Sequence, residues 1–185
     1  MSDFMEKLRH LIKGGEGCID HMYLDTVAKV TVGVGNMLPN VAAAQALPFL
    51  LRDSGSSASP SEIAQDFENI TEQEPAKVAS RYKQYTQLYL PEGAIDDLLD
   101  RRIEGFERRL RDDFPDYDGY PESVRLALMD MVFNLGNRGL ITKFPSLTRA
   151  VRDNDWAECA AQCRRRGIAD SRNEEVRNLF LMALG

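Results

Sequence analysis

No apolar run in the sequence approaches the roughly 18 residues that a membrane-spanning helix needs, so a helical membrane protein is excluded. Histidine is scarce: only His10 and His21 occur, and neither falls in a metal-ligand spacing. No metal and no cofactor are therefore expected. Three cysteines, Cys18, Cys159 and Cys163, cannot all pair. Cys159 and Cys163 stand four apart in a helical pattern, which suits packing on one helix face. The expectation is three buried or idle thiols made in a reducing compartment. Positive charge is in deficit as well. A net charge of −6 lacks the basic footprint of a general nucleic-acid binder. The opening Met1-Ser2-Asp3-Phe4-Met5-Glu6-Lys7 has no basic flank and no apolar core, so synthesis in the cytoplasm without a signal peptide is expected. There is no internal repeat and no low-complexity tract.

What is present describes an ordinary soluble globule. With 43% hydrophobic residues in a chain of 185, there is material for one sizeable domain, or for two lobes sharing a core helix. Phe4, Leu8, Leu11 and Ile12 share one face of a helix over 3–14, and Gly14-Gly15 is expected to close it. Val30, Val32 and Val34 alternate with Thr31 and Gly33, which predicts a small β-meander over 22–35. Glycines at 33 and 35 weaken a strand, so they imply close approach of another chain segment or a ligand.

Beyond residue 37 the pattern is less regular. Residues 41–51 read as a helix interrupted by Pro48, and residues 53–59 as an exposed loop. Ser59, Pro60 and Glu62 then carry a capping box at the start of a new helix. Tyr82, Tyr85 and Tyr89, three and four apart, predict one aromatic face, either packed on a lobe or free to stack on sugar.

Residues 92–113 keep one apolar stripe through Ile95, Leu98, Leu99, Ile103, Phe106 and Leu110, and read as a strut between two lobes. The acidic stretch 112–119 fails as a calcium loop, because Phe114 and Arg125 fall where acids are needed. Residues 122–135 are apolar almost all round, which predicts a buried central helix started by Pro121 and stopped by Gly136. Shorter helices follow from about Ser146 to Arg152, from Asp155 with Glu158, and from Ser171 with Glu174 as a capping box.

Three polar groups stand out in the turn-rich stretch 16–35. Cleavage of a glycosidic bond needs an acid to protonate the leaving oxygen. It also needs a second carboxylate to activate water or attack the sugar. Glu16, at the exit of a core-packed helix, suits a partly buried acid. Asp25, on a polar turn, suits the group that stays ionised. The Thr31 hydroxyl suits a position beside the water.

Taken whole, the stretch resembles the phage-type lysozymes, the endolysin family of bacteriophages. The motifs are Glu16-Gly17, Tyr23-Leu24-Asp25 with the Asp nine residues after the Glu, and Thr31-Val32-Gly33-Val34-Gly35 with the Thr six after the Asp. Residues 127–136, Phe144-Pro145-Ser146-Leu147, Asp155-Trp156-Ala157-Glu158, and the segment from Gly167 through Arg172 to Phe180 are similar to the family's C-terminal half. The sequence departs from the pattern at Asn36, where the family often has His, and over 37–89, which is longer than in short phage enzymes.

The resemblance implies an α+β, mostly α, lysozyme-like fold as a single domain over 1–185. Its lobes would span about 14–90 and 91–185, with helix 3–14 on the C-terminal lobe and a long connecting helix between. It implies a peptidoglycan muramidase that hydrolyses the β-1,4 bond between N-acetylmuramic acid and N-acetylglucosamine with inversion. Glu16 would be the general acid, and Asp25 with Thr31 would position the water. Arg172 would orient Glu16, and Asn134 would line the cleft, both on the substrate side. The protein is expected to be a monomer acting on the wall in the periplasm or outside the cell. Delivery by a holin, or export as an effector with a cognate immunity protein, would serve that role. Separately from the resemblance, the arginines of the 92–113 strut, with Arg164-Arg165-Arg166, would supply a local basic surface. The competing readings are a lytic transglycosylase, which needs only one acid/base carboxylate, and a non-catalytic wall-binding module.

Overall fold

The computed structural model describes residues 3–185. The Met1-Ser2 start of the stretch read for a secretion signal lies outside the described residues. The fold is α+β and mostly helical, with a small antiparallel sheet. Its chain divides into two compact units, Glu16–Arg101 and the residues up to Gly15 together with Arg102–Gly185. Among the described residues no helix is long and apolar enough to cross a membrane.

In the Glu16–Arg101 unit, β1 (Ile19–Leu24), β2 (Val30–Gly33) and β3 (Asn36–Met37) form an antiparallel sheet in that order. Leu24 pairs with Val30 and Tyr23 with Thr31. All four β2 residues are buried, so the alternation marks a strand covered on both faces. Gly33 has φ +68°, and a Cβ there would stand 3.3 Å from the Ile95 side chain. The close approach implied at this glycine is therefore made by the chain itself.

The expected helix over 41–51 is only α2 (Val41–Gln45), capped by the Asn40 side chain accepting from the Ala43 amide at 2.9 Å. Pro48 cannot continue a helix. After it, β4 (Leu50–Leu51) pairs antiparallel with β5 (Leu88–Tyr89) in a second sheet. Helix α3 (Pro60–Thr71) starts as its sequence requires, with both halves of the Ser59–Glu62 capping box formed. Buried Asp66 of α3 accepts from the Thr86 hydroxyl and from the Leu88 amide at 3.1 Å, which fixes β5 to the helix. The three tyrosines do not share one helix face. Tyr82 and Tyr85 lie on a 3₁₀ turn, Ala79–Tyr85, that ends in extended Thr86, and Tyr89 sits on β5.

Helix α4 (Glu92–Asp113) starts in this unit and ends in the other, with Ile95, Leu99, Ile103 and Leu110 buried along its stripe. In the second unit, α1 (Asp3–Glu16) buries Leu8 and Ile12. It does not stop at Gly14-Gly15. It runs on to Glu16, and the left-handed residue that follows is Gly17, at φ 81°. Helix α5 (Glu122–Lys143) follows Pro121 and breaks at Gly136, where φ 70° and ψ 157° leave the helical region. Every residue from Leu126 to Phe133 is buried, as an apolar helix must be. Helix α6 (Pro145–Arg152) and α7 (Trp156–Gln162) follow, the latter capped by Asp155 accepting from the Glu158 amide at 2.9 Å. Helix α8 (Asp170–Leu181) begins after Ala169 without a side-chain cap, so Ser171 lies inside it and the expected capping box does not form. It packs on α5 and α7.

Cys159 and Cys163 are buried, whereas Cys18 is exposed on the link between α1 and β1. Of the three free thiols, only those of Cys159 and Cys163 are therefore buried. Burial pushes the Cys159 thiol up to about 12, which keeps it protonated and inert.

Candidate active site

The β1–β2 connection is built around Asp25. Its amide donates to the Lys29 carbonyl at 3.0 Å, and its carbonyl accepts from Ala28 at 3.2 Å. Its Oδ1 accepts from the amides of Val27 at 2.9 Å and Lys29 at 2.8 Å. An aspartate whose side chain binds backbone two residues on is the usual means of closing such a turn. Oδ2 has no protein partner among the described residues, which leaves it free to accept from a ligand. Thr31, 3% exposed, donates its hydroxyl to the same Lys29 carbonyl at 3.1 Å. One carbonyl oxygen thus ties Asp25 and Thr31 together. With its proton committed, the Thr31 hydroxyl can only accept further hydrogen bonds.

Glu16 is the last residue of α1 and is exposed. The expectation of a partly buried acid is thereby corrected. Glu16 continues the i, i+4 row of Leu8 and Ile12, but it is the last residue of α1, beyond the buried stretch. Asn134 is half-buried on α5, two residues before the Gly136 break.

Arg172 of α8 has Asp130 and Gly15 among its partners. Its Nε and Nη2 donate to Asp130 Oδ1 at 3.0 and 2.8 Å, and its Nη1 donates to the Gly15 carbonyl at 2.9 Å. A Cβ on Gly15 would lie 2.5 Å from the guanidinium carbon. Gly15 thus leaves the space that the Arg172 guanidinium fills while bonded to Asp130, and it does not make a left-handed turn. Alanine for glycine inside a helix ordinarily stabilises by about 1 kcal/mol. Here Gly15→Ala is expected to reverse that sign and destabilise by roughly 1–3 kcal/mol, the range for overpacking. Urea unfolding of the variant decides between the two signs.

Asp130 and Arg165 were not foreseen. Asp130 is fully buried, and Arg165 Nη2 lies 2.7 Å from its Oδ2, with side-chain exposures of 1% and 0%. Asn173 completes the cluster, accepting from the Arg165 amide at 3.0 Å and donating to its carbonyl at 3.0 Å. Arg165 is therefore not part of a basic surface. Only its neighbours Arg164 and Arg166 are exposed, and Arg164 pairs with Asp170 at 2.7 Å. The sequence signal was a lone acid inside an apolar helix, since a buried charge demands a partner. Among the described residues no three His, Cys, Asp or Glu side chains gather as a metal site.

Glu16 thus ends α1 exposed, while Asp25 and Thr31 meet at one turn carbonyl. The phage lysozyme family model matches residues 13–177, and the chain belongs to that family of peptidoglycan-lytic enzymes. A search of curated proteins found no match to it.

Proposed function

We propose that the chain works as one lysozyme domain: a muramidase that hydrolyses the β-1,4 bond between N-acetylmuramic acid and N-acetylglucosamine with inversion. The observation that carries this reading is the shared Lys29 carbonyl, which sets Asp25 and Thr31 side by side as two acceptors. A water donating one hydrogen to Asp25 Oδ2 and the other to Thr31 Oγ1 has its lone pair directed away from both. As the oxygen attacks the anomeric carbon, its proton passes to Asp25. Glu16 gives its own proton to the departing glycosidic oxygen, so charge balances across the step. The family match spans all three residues, together with Asn134 and Arg172. Arg172, adjoining the end of α1 through the Gly15 carbonyl, orients Glu16, and Asn134 contacts glycan.

Digestion of purified sacculi followed by mass spectrometry tests the reaction. Hydrolysis yields reducing muramic acid ends, and inversion yields them first as the α-anomer by NMR. Anhydro-muramyl ends would instead establish a lytic transglycosylase. Binding to sacculi without any cleavage would establish a non-catalytic module.

A further inference from the structure

A concavity that the proposed reaction leaves unused lies in the Glu16–Arg101 unit, at the 3₁₀ turn Ala79–Tyr85. Its volume is about 520 Å³, inside the range of roughly 300–1,000 Å³ that small-molecule sites occupy. Neither Glu16, Asp25 nor Thr31 lines it.

The walls are fixed before any ligand arrives. Buried Tyr82 donates its hydroxyl to the Glu74 carbonyl at 2.7 Å and accepts from the Lys77 amide at 3.4 Å. Between those two residues Ala76 sits at φ 61°, a left-handed conformation that costs a non-glycine residue energy. His21 Nε2 lies 3.0 Å from the Ala79 carbonyl, which anchors the turn to β1. Strain held by surrounding hydrogen bonds is a mark of preorganisation.

The rim offers a specific set of groups. Gln73 and Gln84 spend their amide nitrogens on the carbonyls of Asn69 and Arg81, at 2.7 and 3.1 Å. Each therefore keeps its side-chain oxygen as an acceptor. Lys77 is paired with Glu74 at 2.9 Å, whereas the exposed Arg81 guanidinium has no partner among the described residues. The Tyr85 side chain remains 42% exposed. Two acceptors read N–H or O–H groups, a free guanidinium takes a carboxylate in a fork, and a phenol ring stacks on the apolar face of a pyranose.

We propose that this concavity is a second glycan site, which holds an N-acetylated sugar bearing a carboxylate, as the lactyl group of a muramic acid residue does. Arg81 pairs with the carboxylate, Gln73 and Gln84 accept from the sugar's amide and hydroxyls, and Tyr85 supports the ring. The proposal rests on the wall-lytic reading for its ligand class. It also gives an acidic protein a local cation with which to grip an anionic polymer.

Two measurements test it on the full chain. Titration with free N-acetylmuramic acid and N-acetylglucosamine, followed by NMR, is expected to show a preference for the carboxylated sugar that Arg81→Ala abolishes and Arg81→Lys partly restores. Sedimentation with sacculi in a Glu16→Gln background is expected to show about tenfold weaker binding for Arg81→Ala and for Tyr85→Ala, with an unchanged Tm. Equal affinity for the two sugars, or undiminished sacculus binding by both variants, overturns the site. Failure of the muramidase reading is seen separately, as parent protein that never cleaves sacculi, while the sugar titration still reports on Arg81.

Discussion

Glu16→Gln is expected to lower wall clearing by roughly 10²- to 10⁴-fold, the usual contribution of a general acid. Glutamine keeps the size and reach of the side chain but has no proton to give. Because Glu16 is exposed at the end of α1, the substitution buries no unpaired group and should leave stability within about 0.5 kcal/mol. Turbidity clearing and thermal unfolding, measured together, separate loss of chemistry from loss of fold. Clearing within a few-fold of the parent would remove Glu16 from the acid role. A matching fall in Tm would assign the loss to folding.

The largest expected effect on stability lies at Asp130. Its two oxygens hold Arg172 and Arg165, and the Arg165 side chain is 1% exposed. Asp130→Ala strands that guanidinium without its counter-charge, and such a change costs about 3–5 kcal/mol. Arg172, whose side chain is 11% exposed, loses the same carboxylate but keeps the Gly15 carbonyl. Arg172→Ala should accordingly cost less than Asp130→Ala, since it leaves the inner pair intact. The double variant Asp130→Ala/Arg165→Met should recover most of the loss, because the buried charge is gone with its partner. Urea unfolding of the single and double variants closes the cycle. A loss below about 1 kcal/mol for Asp130→Ala, or no recovery in the double variant, would show that the inner pair does not dominate.

Many elements were legible residue by residue. Ser59, Pro60 and Glu62 announced α3, and Asp155 with Glu158 announced α7, because a cap is a contact between residues three apart. Pro121 and Gly136 bounded the apolar half of α5. Asp25 and Thr31 were readable as a pair through the spacing of the hairpin. Their common tie to Lys29 was not, since it depends on how the β1–β2 connection closes. The pairing of β4 with β5 escaped as well. Each strand has two residues, too few for a period, and Leu51 and Leu88 are joined only by the fold.

Gly15 and Arg165 show the same division from the other side. A glycine at a helix end suggests a left-handed stop, and a run of three arginines suggests a basic surface. Both readings follow from local statistics, and both yield to a partner far along the chain. Arg172 reaches Gly15 across 157 residues and Asp130 across 42.

The sequence by itself determined the long helices and the first hairpin, and nominated three polar groups for the candidate site. Periodicity, caps and hairpin spacing act over a few residues, so they are written in order along the chain. Tertiary structure alone decided which arginine turns inward and which side chain fills the space beside Gly15. Those outcomes depend on which buried charge finds which partner, and pairing across the fold leaves no trace in local pattern.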